Sequence, residues 1–183
     1  ATAGTSTGTV DEDGVLEGAA NAGPGDGIAG GTGDVAGAAT VATGSVSALF
    51  QSGADEPLTF SLAGNAVAVL TALNLTSGGV ALSYSVAGDT VTASAPAGNT
   101  IFTFQLQANG NWTFTLVDQL DHAAGNDEND LTINLGAVVV ATDTDGDSVT
   151  GNAAGLVITV DDDTPIATAG TSTGTVDEDG VLE

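Results

Sequence analysis

No lysine and no arginine occur anywhere in this chain, which carries 24 aspartates and glutamates, one histidine and a formal charge of −24 over 183 residues. A fold built from such a sequence has almost no cation of its own to set beside its carboxylates. It must hold them apart in water or draw cations from solvent. Nucleic acid is not expected as a partner, because phosphate binding needs Lys or Arg to release counterions. Direct contact with an anionic membrane is disfavoured for the same reason.

The acidity does not describe a disordered tail. Only 13% of residues are charged while 42% are hydrophobic, and the apolar ones come in short alternating runs. That is the pattern of a folded β protein. The length suits one domain with a substantial core. Cysteine is absent, which removes disulfides, thiolate metal sites and cysteine nucleophiles. No apolar run approaches the ~18 residues of a membrane-spanning helix, and no signal peptide is visible, so export would depend on a signal elsewhere in a longer parent.

Residues Ala1 to Glu17, ATAGTSTGTVDEDGVLE, return unchanged as Ala167 to Glu183, an offset of 166 residues. Chance does not produce such identity, so the chain spans one full period of a tandem array and the start of the next. The organisation expected is a strand or linker segment at 1–17, a β-sandwich at 18–165 and a second copy beginning at 166–183.

Gly18 to Gly44 is rich in Gly and Ala and reads as a long loop or weakly paired edge. Strand signals then follow closely: Ser45–Phe50, Leu58–Leu62, the alternation of Val80, Leu82, Tyr84 and Val86, then Val91, Ala93 and Ala95 after the Gly88-Asp89 turn. Phe102, Phe104 and Leu106 face Trp112, Phe114 and Leu116 across Asn109-Gly110, a strong hairpin signal because both residues tolerate positive φ. Leu131/Ile133/Leu135, Val138–Ala141 and Leu156/Ile158/Val160 complete the set, and Ala66–Leu73 is the one stretch suited to a helical turn or two. Many short strands of period two predict an all-β fold, an immunoglobulin-like antiparallel β-sandwich. Trp112, Phe102, Phe104 and Phe114 are expected in the core between its sheets.

The carboxylates gather in clusters: Asp11-Glu12-Asp13, Asp118 with Asp121, Asp127-Glu128-Asn129-Asp130, Asp143 with Asp145 and Asp147, and Asp161-Asp162-Asp163. Two such charges ~4 Å apart repel by about 1–4 kcal/mol at effective dielectrics of 80 to 20. A divalent cation relieves this, and Ca²⁺ favours six to eight oxygen ligands of the kind these clusters offer. Mg²⁺ demands a tighter octahedron, and transition metals want imidazole or thiolate. Asp143-Thr144-Asp145-Gly146-Asp147 opens like an EF-hand loop, but the twelfth position is Ala154 rather than Glu, so a β-loop calcium site with Gly146 at its turn is expected instead. Asp26 and Asp34 read as solvated turn residues. Asp161–Asp163 close the last strand before Thr164-Pro165, and Asp11–Asp13 and their copy Asp177–Asp179 stand at the start of a unit. Calcium shared between the end of one unit and the start of the next would stiffen the joint.

The motifs VDEDG, LVDQLDHA, ENDLTINLG, ATDTDGDS and ITVDDDTP resemble the extender repeats of very large type I-secreted adhesins, the RTX adhesins. The resemblance spans nearly the whole chain and is most specific from Leu116 to Pro165. It implies a tandem immunoglobulin-like β-sandwich at the bacterial cell surface, made rigid by Ca²⁺, that places a distal binding region far from the cell. Its partners would be neighbouring repeats of the same chain, and an isolated unit would be a monomer. By order along the chain, Glu12 would match an early acidic ligand, Asp118 and Asp121 a mid-chain pair, Asp143 and Asp145 a DxD ligand, and Asp161–Asp163 the linker ligands. The glycine-rich nonapeptides that name RTX proteins are absent here.

Two other function classes compete. A ligand-binding adhesion module for a glycan or cell-surface protein would use an open calcium position, but arrays multiply spacers rather than binding heads. A glycoside hydrolase needs two carboxylates at a defined separation across a cleft, whereas these lie in turns without a basic neighbour. His122 has no nucleophile motif around it and reads as a turn-stabilising residue. The chain is therefore not expected to be an enzyme.

Overall fold

The computed structural model describes residues 4–15, 30–34, 37, 39–96, 98–125, 128–167 and 169–176. Its strands are β1 (Ser6–Asp11), β2 (Val41–Ser45), β3 (Thr59–Leu62), β4 (Thr76–Ser77), β5 (Val80–Ala81), β6 (Ser83–Ala87), β7 (Thr90–Ser94), β8 (Thr100–Leu106), β9 (Asn111–Leu116), β10 (Leu131–Asn134), β11 (Val139–Thr142), β12 (Ser148–Thr150) and β13 (Leu156–Asp161), with one short helix, α1 (Ala66–Thr71). The fold is an all-β sandwich. A five-stranded sheet ordered β2-β9-β8-β7-β6 accompanies two three-stranded sheets, β1-β13-β10 and β12-β11-β3, while β4 and β5 pair separately. No helix among the described residues is long and apolar enough to cross a membrane.

Alternation explains the core. Every second residue of β8 and β9 turns inward, so Phe102, Phe104, Leu106, Trp112, Phe114 and Leu116 are almost wholly buried, together with Val10, Ile133, Leu156, Ile158 and Val160. Phe102 and Phe114 stack with ring centres 5.0 Å apart. The β8–β9 hairpin forms at Asn109-Gly110 as the dipeptide predicts, but only Gly110 takes positive φ, +85°. The Asn109 carboxamide instead accepts the Asn111 N–H at 2.9 Å.

The structure corrects one strand. Ser45–Phe50 is not a strand: β2 ends at Ser45, and Ser47–Leu49 is a 3₁₀ turn. Leu49 and Phe50 are buried there, and Phe50 meets Phe60 edge-on at 5.5 Å. The apolar run closes the end of the core instead of lining a sheet. The pairing partner upstream, β2, was hidden in the Gly/Ala-rich stretch.

One pairing departs from antiparallel order. β1 lies parallel to β13, from Ser6 opposite Leu156 to Asp11 opposite Asp161. Both strands therefore run from a leading end to a trailing end. At the leading end the Trp112 indole N–H donates to the Ser6 hydroxyl at 2.9 Å, near the β8–β9 turn. At the trailing end Asp11 and Asp161 finish side by side. The chain thus enters β1 at the leading end and leaves β13 at the trailing end of the sandwich.

Candidate metal centre

Four chain segments converge on the trailing end. Asp11 closes β1, and its Oδ1 accepts the Asp13 N–H at 2.8 Å, folding Glu12–Gly14 into a 3₁₀ turn that carries Asp13 back beside it. Asp161 arrives through the β1–β13 register. Glu128 is brought in by the loop at 30–34, since its N–H donates to the Thr32 carbonyl at 2.9 Å. That loop can wrap the glutamate only because of its glycines. A Cβ at Gly31 would fall on the Glu128 carboxylate, and one at Gly33, where φ is +104°, would stand 3.0 Å from the Glu128 carbonyl oxygen. The same loop ends in Asp34.

The result is a cluster of five carboxylates. One oxygen each from Asp11, Asp13 and Asp34 lie within 4.8 Å of one another, and so do oxygens from Asp34, Glu128 and Asp161. Asp11, Asp13, Glu128 and Asp161 are only 4%, 9%, 7% and 2% exposed. Asp11 Oδ2, both oxygens of Asp13 and Glu128 Oε2 are buried with no hydrogen-bond partner among the described residues. Burial first, then the charges of Asp11, Asp163, Glu128 and Asp34, push the Asp13 carboxyl up to about 6. Burial also raises Glu128, against the Thr164 hydroxyl that donates to its Oε1 at 3.1 Å, and it raises Asp11 against the Asp13 N–H. Buried charges of one sign with orphaned oxygens are costly unless a cation compensates them.

The donor set fits a hard divalent ion. It is all oxygen, it is held by at least four separate segments, and its carboxylates suit the irregular shell of Ca²⁺ better than the strict octahedron of Mg²⁺. Zn²⁺ and its neighbours would want nitrogen or sulfur, which this cluster lacks.

Glu12 points away from that cluster into a second arrangement. Glu12 Oε1 accepts the Leu120 N–H at 2.8 Å and lies 3.3 Å from His122 Nε2. His122 Nδ1 stands 2.6 Å from the Asn129 carbonyl, and Nε2 is 4.0 Å from Asp162. Burial favours the neutral ring, but the bonds to Glu12 and Asn129 and the charges of Glu12 and Asp162 outweigh it, so the histidine is held above its ordinary pKa. Burial raises Glu12 in turn, opposed by His122. The one basic side chain of the sequence is thus a clip between the end of β1, the loop after β9 and the segment after β13. The ring already serves the Glu12 carboxylate as a hydrogen-bond partner.

The remaining candidates are placed differently. Asp121 Oδ2 accepts the Gly79 N–H at 2.8 Å, and its hydrogen bonds from Thr76, Gly79 and Gly78 hold it below the usual carboxylate range. Asp118 lines a cleft of about 440 Å³ with Glu12, Asp121, His122, Asp162 and Asp163. Asn129 donates its side-chain amide to Asp162 at 3.5 Å. Asp143, Asp145 and Asp147 come together in the β11–β12 turn, where Asp143 Oδ1 accepts the N–H groups of Gly146 and Asp147 at 3.1 and 2.8 Å. This turn is at the leading end, since Thr142 pairs with Thr59 and the neighbouring Phe60 N–H donates to the Ala108 carbonyl in the β8–β9 turn. Asp127, Asp26 and Asp177–Asp179 lie outside the described residues.

Asp34 is unburied, as expected of a turn residue, and it also joins both carboxylate triads. Its signal was Gly30-Gly31-Thr32-Gly33-Asp34, a stretch able to pass close to another backbone. Asp11–Asp13 stand at the start of the unit in sequence but at its end in space, because β1 runs parallel to β13.

A family model described as a domain of unknown function (DUF5801) matches residues 8–154, that is 147 of the 183 residues. No curated protein and no solved structure matches the chain.

Proposed function

The chain belongs to the DUF5801 family, and from its geometry we propose that it is a calcium-dependent spacer, an extender repeat of a large extracellular adhesin, whose task is reach and stiffness. The observation that carries this reading is the parallel β1–β13 pair. It sends the chain in at one end of the sandwich and out at the other, so copies repeated every 166 residues add length instead of folding back. Bound at the trailing end, Ca²⁺ would supply positive charge and up to eight coordination positions for oxygens. Asp11, Asp13, Asp34, Glu128 and Asp161 would hold it. They would tie the first strand, the glycine loop and the last strand together next to Asp162-Asp163-Thr164-Pro165, where the chain leaves for the next copy.

The test is a protein of two consecutive repeats followed by small-angle scattering and melting, with calcium and with chelator. The reading expects a longer, stiffer particle and a higher melting temperature in calcium. Equal length and equal melting under both conditions would overturn it. Specific retention of a glycan by a single repeat would favour an adhesive head instead.

A further inference from the structure

Oxygens that share one Ca²⁺ lie about 2.3–2.6 Å from it, so no two of them stand more than about 5 Å apart. The five trailing-end carboxylates do not gather as one such set. They gather as two triads, Asp11 with Asp13 and Asp34, and Asp34 with Glu128 and Asp161, each with oxygens within 4.8 Å of one another. Asp34 belongs to both. Each triad also presents buried oxygens that lack a hydrogen-bond partner among the described residues: Asp11 Oδ2 and both Asp13 oxygens in the first, Glu128 Oε2 in the second. All three side chains are at least nine-tenths buried. Their other oxygens are spoken for where the protein needs them, since Asp11 Oδ1 accepts the Asp13 N–H and Glu128 Oε1 accepts the Thr164 hydroxyl. The orphaned oxygens thus fall on both sides of Asp34.

We propose that the trailing end holds two Ca²⁺ ions bridged by the Asp34 carboxylate, a tight one with Asp11 and Asp13 and a weaker one with Glu128 and Asp161. This rests on the calcium reading above and adds to it the number of ions and their order of filling. The first triad is the tighter because it offers three orphaned oxygens against one. The second ion also enters a cluster whose negative charge the first has already reduced, and like charges repel. The two ions act on different parts of the fold. The tight one joins the end of β1 to the glycine loop. The weaker one holds Asp161, the last residue of β13, where the chain turns out toward the next copy. Stability is therefore gained at low calcium, and the exit is fixed only at higher calcium.

The test is calcium titration of the full chain by calorimetry, with ions per chain counted by native mass spectrometry. Emission of the single tryptophan checks that each variant is folded. The parent should fill two trailing-end sites in steps separated by about tenfold or more in calcium. Glu128→Gln should bind one ion fewer, keep the tight step and retain most of the calcium-dependent rise in melting temperature. Asp13→Asn should lose the tight step. Asp34→Ala should weaken both steps by about tenfold or more, as loss of a ligand does. If Glu128→Gln and Asp13→Asn weaken one and the same step, or if Asp34→Ala touches only one, the bridged pair is overturned while the calcium-dependent spacer stands. If calcium changes neither binding nor melting in the parent, both fall together.

Discussion

Two clusters of carboxylates sit at opposite ends of this sandwich and are built on opposite principles. The leading-end cluster, Asp143, Asp145 and Asp147, is local in sequence. Asp143 turns back onto the N–H groups of Gly146 and Asp147, while Asp145 and Asp147 are exposed to water. The trailing-end cluster is assembled from residues as far apart as Asp11 and Asp161, is buried except at Asp34, and leaves oxygens of Asp11, Asp13 and Glu128 without a hydrogen-bond partner among the described residues. Density of acid along the chain is a property of turns. A cation site requires that the fold hold several oxygens together facing one point.

Calcium should therefore act mainly at the trailing end, and this is the largest effect expected. An ion that binds only the folded state at a hundred times its Kd stabilises by about 2.7 kcal/mol. With a Kd near ~0.1 mM, typical of extracellular modules, ~10 mM calcium reaches that ratio. For a chain of this size the melting temperature should rise by roughly 5–10 °C per site. Calorimetry in chelator and in calcium measures it, and an unchanged melting temperature would remove the contrast between the two ends.

Asp13→Asn sharpens the comparison by crossing sign. In chelator it removes one buried charge that repels Asp11, Asp163, Glu128 and Asp34, and should stabilise the fold by about 1–2 kcal/mol. In calcium it removes a ligand, and most of the calcium-dependent gain should vanish. A variant destabilised equally under both conditions would mean that Asp13 only packs.

The calcium-free pH profile is the next smaller effect. Asp13 titrates near 6 in the folded state against an ordinary 3.8, so between these values the folded state binds more protons than the unfolded one. Stability then falls as pH rises from about 4 through about 6, by roughly 1–3 kcal/mol from this group. Below about 4 the penalty is absent. Calcium should reverse the slope, because acid protonates the ligands and releases the ion. Denaturant melts at pH 4.5 and 7 with chelator and with calcium read both slopes.

Much of this was legible in advance. Alternation in Phe102–Leu106 and Trp112–Leu116 gave strands and core together, because a period of two admits one buried face. Asp11, Asp13, Glu128 and Asp161 were marked by clustering. Asp34 was not, since a lone Asp in a glycine-rich loop looks solvated until Gly31 and Gly33 are seen pressed against Glu128. Nor was the trailing-end placement of Asp11–Asp13 legible, because strand direction is a pairing property. Nothing in STGTVD itself says that it runs parallel to a strand about 150 residues later. His122 reads from the sequence as a turn-stabilising residue. Its place between Glu12 and Asp162 depends on the same long-range closure.

The smallest effects belong to the leading-end turn, and they decide whether the contrast is complete. Asp143→Ala leaves the N–H groups of Gly146 and Asp147 without their acceptor in a turn that needs φ of +103° at Gly146. The cost should be about 1 kcal/mol, the same in chelator and in calcium, because the lost bonds are to backbone and not to an ion. Asp145→Asn touches no such bond. It should lie within about 0.5 kcal/mol of the parent in both conditions. Melting of the two variants beside Asp13→Asn is the deciding measurement. If Asp145→Asn abolishes as much of the calcium-dependent gain as Asp13→Asn does, then exposed carboxylates in a self-satisfied turn recruit the ion as well as buried, orphaned ones. Burial would then not be what separates the two ends.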